Sequence, residues 1–212
     1  MADSKVSDLA QIDALADADA FYVVDASGAS AADKARKTLA SQLAAYVLAN
    51  FSALGRLFAK SVGLWYPLAG SAVAVTAPAN TNENILVTVA VPAGAMGPNG
   101  RLRVRTVWSY TNSANNKVCK VRFGGIAGAA FHSTTATTTA TLQHETIIAN
   151  RNAENAQVGG SSSTAFGSSS LAPVTAAVDT SAAVDLVITA QKASAGETLT
   201  LELYTVDVLY RA

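Results

Sequence analysis

A catalytic or metal centre in this chain would have to be built from two histidines, one cysteine and a scatter of carboxylates. Their spacing argues against each assembly in turn. His144 and Glu145 are neighbours in an alternating run, so in a strand they point to opposite faces and form no direct acid–base couple. His132 stands in the threonine-rich stretch 131–139, read as a loop, with no partner at metal-ligand spacing. Cys119 alternates with Val121 and Phe123 and reads as a small buried core residue. A lone thiol also excludes an intrachain disulfide and a cysteine-only metal cage. Asp179, Asp185 and Asp207 are scattered, and no pair of them is assigned to glycoside hydrolysis. Gly124, Gly125 and Gly128 spell GGIAG, which lacks the phosphate-binding pattern and opens no helix, so they read as turn or bulge positions. The expectation is a protein that is not an enzyme, with no catalytic residue, no cofactor and no metal.

The cations are more informative. In RLRVRTVWSY, Arg101, Arg103 and Arg105 alternate with Leu102, Val104, Trp108 and Tyr110. In KVCKVRF, Lys120 and Arg122 lie opposite Cys119, Val121 and Phe123. If these strands are neighbours, five cations share one sheet face, and acidic partners are expected close by because like charges across a ladder are destabilising. Glu202, Asp185 or a neighbouring subunit could supply them. A solvated, paired face, a salt-bridged oligomer interface and a site for an acidic polysaccharide are the three readings. Arg103, Arg105, Lys120 and Arg122 are therefore candidate surface-contact residues. Phe166 joins them from the Ser-, Gly- and Asn-rich stretch 152–170.

These residues sit in a chain dominated by period-two alternation. Residues 184–210 read as a C-terminal hairpin: Val184, Leu186, Ile188 and Ala190 face one way in its first strand, and Leu199, Leu201 and Leu203 in its second, with Gly196 in the turn. Further strands are expected at 72–76, 85–91, 101–110, 117–123, 140–150 and 171–178. That number and spacing suit a mainly β fold, a jelly-roll-like antiparallel β-sandwich, with a Greek-key barrel as the alternative. The strand 85–91 is apolar on both faces, with Ile85, Val87, Val89 and Val91 on one and Leu86 and Ala90 on the other. A helix or another subunit is expected to cover its outer face. The head domain is set at 71–212, after a linker at 62–70 marked by Gly63, Pro67 and Gly70.

Ahead of it, residues 1–61 form a different kind of segment. Phe21 to Val24 is a short apolar strand, turn chemistry follows in DASG, and Ala35, Arg36 and Lys37 return as a second strand. A helix is expected from Leu39 to about Ser61. Leu43, Tyr46, Asn50 and Leu57 form one stripe, and Val47, Phe51, Leu54 and Phe58 an adjoining one. This face either covers the β-domain or its own short hairpin, or forms a parallel bundle between subunits in which Asn50 sets register. These eight positions are the candidate attachment and oligomer interface.

The 212 residues suffice for one β-rich domain with a sizeable core plus a small appended segment. Net charge is zero and charged residues are 14%, so no footprint for nucleic acid or an anionic membrane follows. The acidic N-terminus lacks the basic and apolar regions of a signal peptide, and no run of about 18 apolar residues predicts membrane insertion. Synthesis in a cytoplasm without export is the expectation.

The front segment SDLAQIDALADADAFYVVDASGASAADKARKTLASQLAAYV resembles the N-terminal segment common in tailed-bacteriophage fibre and appendage proteins. Leu9, Asp19, Val23, Val24, Asp25, Lys37, Leu39, Gln42, Leu43 and Tyr46 carry the likeness. Phe21 and Tyr22 stand where Leu-Leu-Pro is usual, and an alanine-rich insert follows at 29–32. The C-terminal run TAAVDTSAAVDLVITAQKASAGETLTLELYTVDVLY is similar in pattern to the β-rich heads of phage head-fibre, tail-fibre and spike proteins. The resemblance implies a virion structural protein, assembled in the host cytoplasm. It would be a homotrimer with an N-terminal anchor on other virion proteins, of capsid or tail, and a distal head that contacts the host surface, with a surface glycan as partner. A capsid decoration protein and a carbohydrate-binding adhesin module are the alternatives.

Overall fold

A computed structural model describes residues 21–24, 35–38, 55, 59–160 and 172–212. The chain divides into two compact units, Met1–Leu54 and Gly55–Ala212. In the first, β1 (Phe21–Val24) pairs antiparallel with β2 (Ala35–Thr38), Phe21 opposite Thr38 and Val24 opposite Ala35. The expected strand and return strand are therefore present, and the expected turn at 25–28 lies outside the described residues. The interface positions Leu43, Tyr46, Val47, Asn50, Phe51, Leu54, Leu57 and Phe58, and Phe166 in the long loop, lie outside the described residues. Of the expected helix, residues 55 and 59–62 are described, and these are helical.

The second unit is a two-sheet sandwich. Its strands are β3 (Trp65–Ser71), β4 (Val75–Thr76), β5 (Asn84–Val91), β6 (Arg101–Tyr110), β7 (Lys117–Phe123), β8 (Ala129–Ala136), β9 (Thr141–Asn150), β10 (Gln157–Gly159), β11 (Val174–Ala176), β12 (Val184–Lys192) and β13 (Leu199–Leu209). One sheet runs β11-β10-β9-β6-β13-β3, with β4 also on β13; the other runs β5-β12-β7-β8. Counting β3 and β4 as the first of eight principal strands and setting aside the short β10–β11 insertion, the sheet orders become first-eighth-third-sixth and second-seventh-fourth-fifth. That is the double Greek key of a jelly roll.

Alternation dictates the core. Leu102, Val104, Trp108, Cys119, Val121, Phe123, Ile148, Leu186, Ile188, Leu199 and Leu201 are all buried between the sheets. Burial pushes the Cys119 thiol up to about 12, so it is a core residue and no nucleophile.

Four expectations are corrected. The 62–70 linker contains most of β3, which pairs with β13 from Trp65–Leu209 to Ser71–Tyr204. The stretch 131–139 is largely β8, paired with β7. Residues 184–210 are no hairpin: β12 and β13 belong to opposite sheets, because the connection 193–198 crosses the sandwich edge. Last, the strand at 85–91 does not carry two dry faces. A bulge opposite Ile188 and Thr189 shifts its parity, so Val87 and Val89 stay with the core while Ile85 turns outward at 46% exposure, and Thr88 and Ala90 are exposed too.

Candidate functional site

The two ends of the sandwich differ. At the entry end the chain comes in at Trp65 and leaves beyond Leu209, which pair with each other. At the loop end lie four connections: 77–83, 111–116, 137–140 and 193–198. Two lysines hold that end together from inside. Lys117 and Lys192 are cross-strand partners on β7 and β12, at the inward-facing positions continuing Cys119, Val121 and Phe123 on one strand and Leu186, Ile188 and Ala190 on the other. Lys117 is 0% exposed and Lys192 3%.

A buried lysine is tolerated only where its donors are used. Lys117 Nζ donates to Asn115 O at 2.7 Å, Ser113 Oγ at 2.8 Å, and Ser113 O and Thr137 O at 3.4 Å each. It also stands 3.7 Å from Glu197 Oε2. Lys192 Nζ donates to Glu197 O at 2.8 Å and Ala77 O at 3.4 Å. Between them the two side chains reach all four connections. Glu197 accepts from Ser113 Oγ and from Asn115 Nδ2, and these bonds, Ser113 first, hold its carboxyl below the usual range. Thr111 and Thr198 exchange hydrogen bonds through both backbone and hydroxyl.

The outer surface of this end is consequently neutral. Every exposed residue of the four connections is uncharged, Asn82, Asn112, Asn115, Asn116, Thr138, Thr139 and Thr198 among them. A shallow depression of about 230 Å³ opens beside them, lined by Asn116, Val118, Gln191, Lys192 and Ala193. The entry end, by contrast, carries exposed charges: Arg101, Arg151, Asp179 and Arg211 face solvent there.

The predicted cations are not brought together. Arg103 and Arg105 lie on β6 in one sheet, Lys120 and Arg122 on β7 in the other, so they occupy opposite outer faces of the sandwich. Each has an acid within the chain. Arg103 makes two bonds to Asp207 directly across the ladder, at 2.8 and 3.1 Å, and lies over the Trp65 ring at 4.4 Å. Arg105 meets Glu145, its cross-strand partner, at 2.5 Å. Lys120 and Arg122 converge on Glu83, with Thr189 as a third donor at 2.6 Å. The Arg122 guanidinium, ahead of Lys120 and Thr189, brings the Glu83 carboxyl down to about 2. Glu202 and Asp185, the expected partners, are not used: Glu202 accepts from Ser109 instead. Each of the four predicted cations is thus already paired within the chain.

Sequence reasoning missed the buried lysines and Glu83, although the alternation of KVCKVRF and of LVITAQK does carry Lys117 and Lys192 inward. Among the described residues no three His, Cys, Asp or Glu side chains gather where a metal ion could sit.

No family model matches this chain, and no curated protein matches it. Among solved structures, the structure of infectious bursal disease virus Gx strain aligns with a TM-score of 0.33 and 11% identity, over 68% of this chain and 30% of that one. The chain thus spans less than a third of that protein's length. What fold and surface define together is a jelly-roll sandwich with a neutral, internally braced loop end.

Proposed function

We propose that this chain is a non-enzymatic structural protein of a bacteriophage virion, a trimeric fibre or spike. Its N-terminal segment docks to capsid or tail proteins and its loop end contacts a neutral host-surface glycan. One observation carries the reading. The chain enters and leaves the sandwich at one end, and the uncharged amide and hydroxyl surface is at the other. The N-terminal segment therefore joins the sandwich at the end opposite the loop surface. The resemblance of residues 7–47 to a virion-attachment module supports the anchoring role. Asparagine amides and threonine hydroxyls supply donors and acceptors that match sugar hydroxyls without selecting for charge. Val73 and Ile85, 75% and 46% exposed, offer apolar surface for a neighbouring copy.

Three measurements test this. Light scattering on the full-length chain is expected to give the mass of three copies, and a monomer would remove the trimer. Particles assembled with a chain lacking Met1–Leu54 are expected to carry none of it; incorporation at normal copy number would sink the anchor. Full-length protein is expected to bind host cells and uncharged glycans, and an Asn115→Lys, Asn116→Arg variant to lose that binding. Binding to empty capsids but not to cells would favour a decoration protein.

A further inference from the structure

The chain's two histidines, far apart in sequence pattern, meet in the core. His132 on β8 belongs to one sheet and His144 on β9 to the other. Their rings stack with centroids 3.4 Å apart and planes inclined by 23°. His132 is 1% exposed, and neither of its ring nitrogens has a protein hydrogen-bond partner among the described residues. His144 Nδ1 is 3.0 Å from Thr146 Oγ1.

We infer that this stack is an acid-sensitive latch between the two sheets, closed while both imidazoles are neutral and progressively weakened on the β8–β9 side as falling pH favours the open, protonated form. Among the described residues no acid faces the buried His132 ring, and the nearest one acts only on His144. From β6 the inward neighbours are Thr106, opposite His144, and Trp108, both uncharged. β7 presents Cys119, a neutral thiol, and Lys117, a further positive group turned to the loop end. β12 adds only Lys192, and β11, which packs on β8, has Val174 and Ala176. On β9 the one acid beside the pair, Glu145, points to the outer face and is taken by Arg105. Two like charges at stacking distance, one of them on the buried and unpartnered His132 ring, disfavour the closed sheets.

Burial, with the His144 ring adding to it, pushes His132 down to about 3, and burial, opposed by the Glu145 carboxylate, lowers His144 as well. The sign follows. A group whose folded value is depressed below the ordinary 6.5 favours the unfolded chain once protons are available. The latch is therefore fully effective above about pH 6.5 and weakens as pH falls towards 3. The lowered carboxyls of Glu83, Asp179 and Glu197 lose their contributions only below about pH 4.5. Between pH 6.5 and 5 the histidines act alone.

Denaturant unfolding of the full chain across that window is expected to show the unfolding constant rising about tenfold per pH unit from His132, with His144 adding to the slope in the same direction. Hydrogen exchange at pH 5.5 is expected to speed up in β8 before β13. His132→Phe should flatten the slope for one proton while keeping the neutral-pH fold. Should that variant not fold, NMR titration of the unaltered protein decides: a His132 imidazole silent down to pH 5 supports the latch. An imidazole titrating near 6.5 with native signals retained, or a pH-independent unfolding constant, overturns it.

Discussion

At the loop end, two lysines gather the connections by donating into backbone carbonyls. At the entry end, two carboxamides do the same work without charge. Asn150 Nδ2 donates to Gly97 O at 2.7 Å and to Thr180 Oγ1 at 2.9 Å, and its Oδ1 accepts from Gln157 Nε2 at 2.8 Å. Gln157 continues to Glu154 O and Val178 O and accepts from Val178 N. Both clusters tie loops from different strands to one buried point. An amide has donors and an acceptor, so it bonds to side chains and backbone alike. A lysine has only donors and therefore collects carbonyls, leaving the outward groups of its loops free. The result is a neutral surface over buried cations at one end, and exposed charges around a neutral core at the other.

Breaking the lysine brace should have the largest effect. Lys117→Met keeps the stem but strands several carbonyls, and a loss of about 3 kcal/mol in denaturant unfolding is expected. Asn150→Leu, at the other end, removes neutral bonds only and should cost about 2 kcal/mol in the same measurement. The ordering tests the comparison: equal losses would mean that lysine and amide brace the ends alike. Glu83→Gln should cost about 1 kcal/mol, since this partly exposed cluster is screened by solvent. The pH dependence has the sign of a depressed carboxyl. Glu83's contribution is present above about pH 4.5 and fades towards about 2, and the variant should lack that acid-side fall in melting temperature. Least of all, Arg105→Ala should leave the melting temperature unchanged, because the Arg105–Glu145 pair is exposed on both sides, 48% and 45%.

Much of this was legible in the residues. The alternation of RLRVRTVWSY and KVCKVRF predicted β6 and β7 to the residue, and the inward place of Cys119 with them. The same alternation carried Lys117 and Lys192 inward, but a charged side chain at a strand end reads by default as solvated. Only the carbonyls of four separate loops show why it is not. Glu83 was invisible for a related reason: it sits in a loop, and the partners it collects come from β7 and β12. His132 was misplaced because threonine-rich β8 has too few apolar residues to announce a strand, although β-branched threonine suits a sheet edge.

The sequence by itself determined β6 and β7 and their buried faces, since a period of two is a local property of the backbone and needs no knowledge of neighbours. It determined the β1–β2 hairpin for the same reason. Tertiary structure alone decided which strands pair, that 193–198 crosses between sheets instead of closing a hairpin, that the cations fall on opposite faces, and that His132 meets His144. Those outcomes depend on contacts between residues distant in the chain, set by how two twisted sheets close over one core, and no local pattern encodes them.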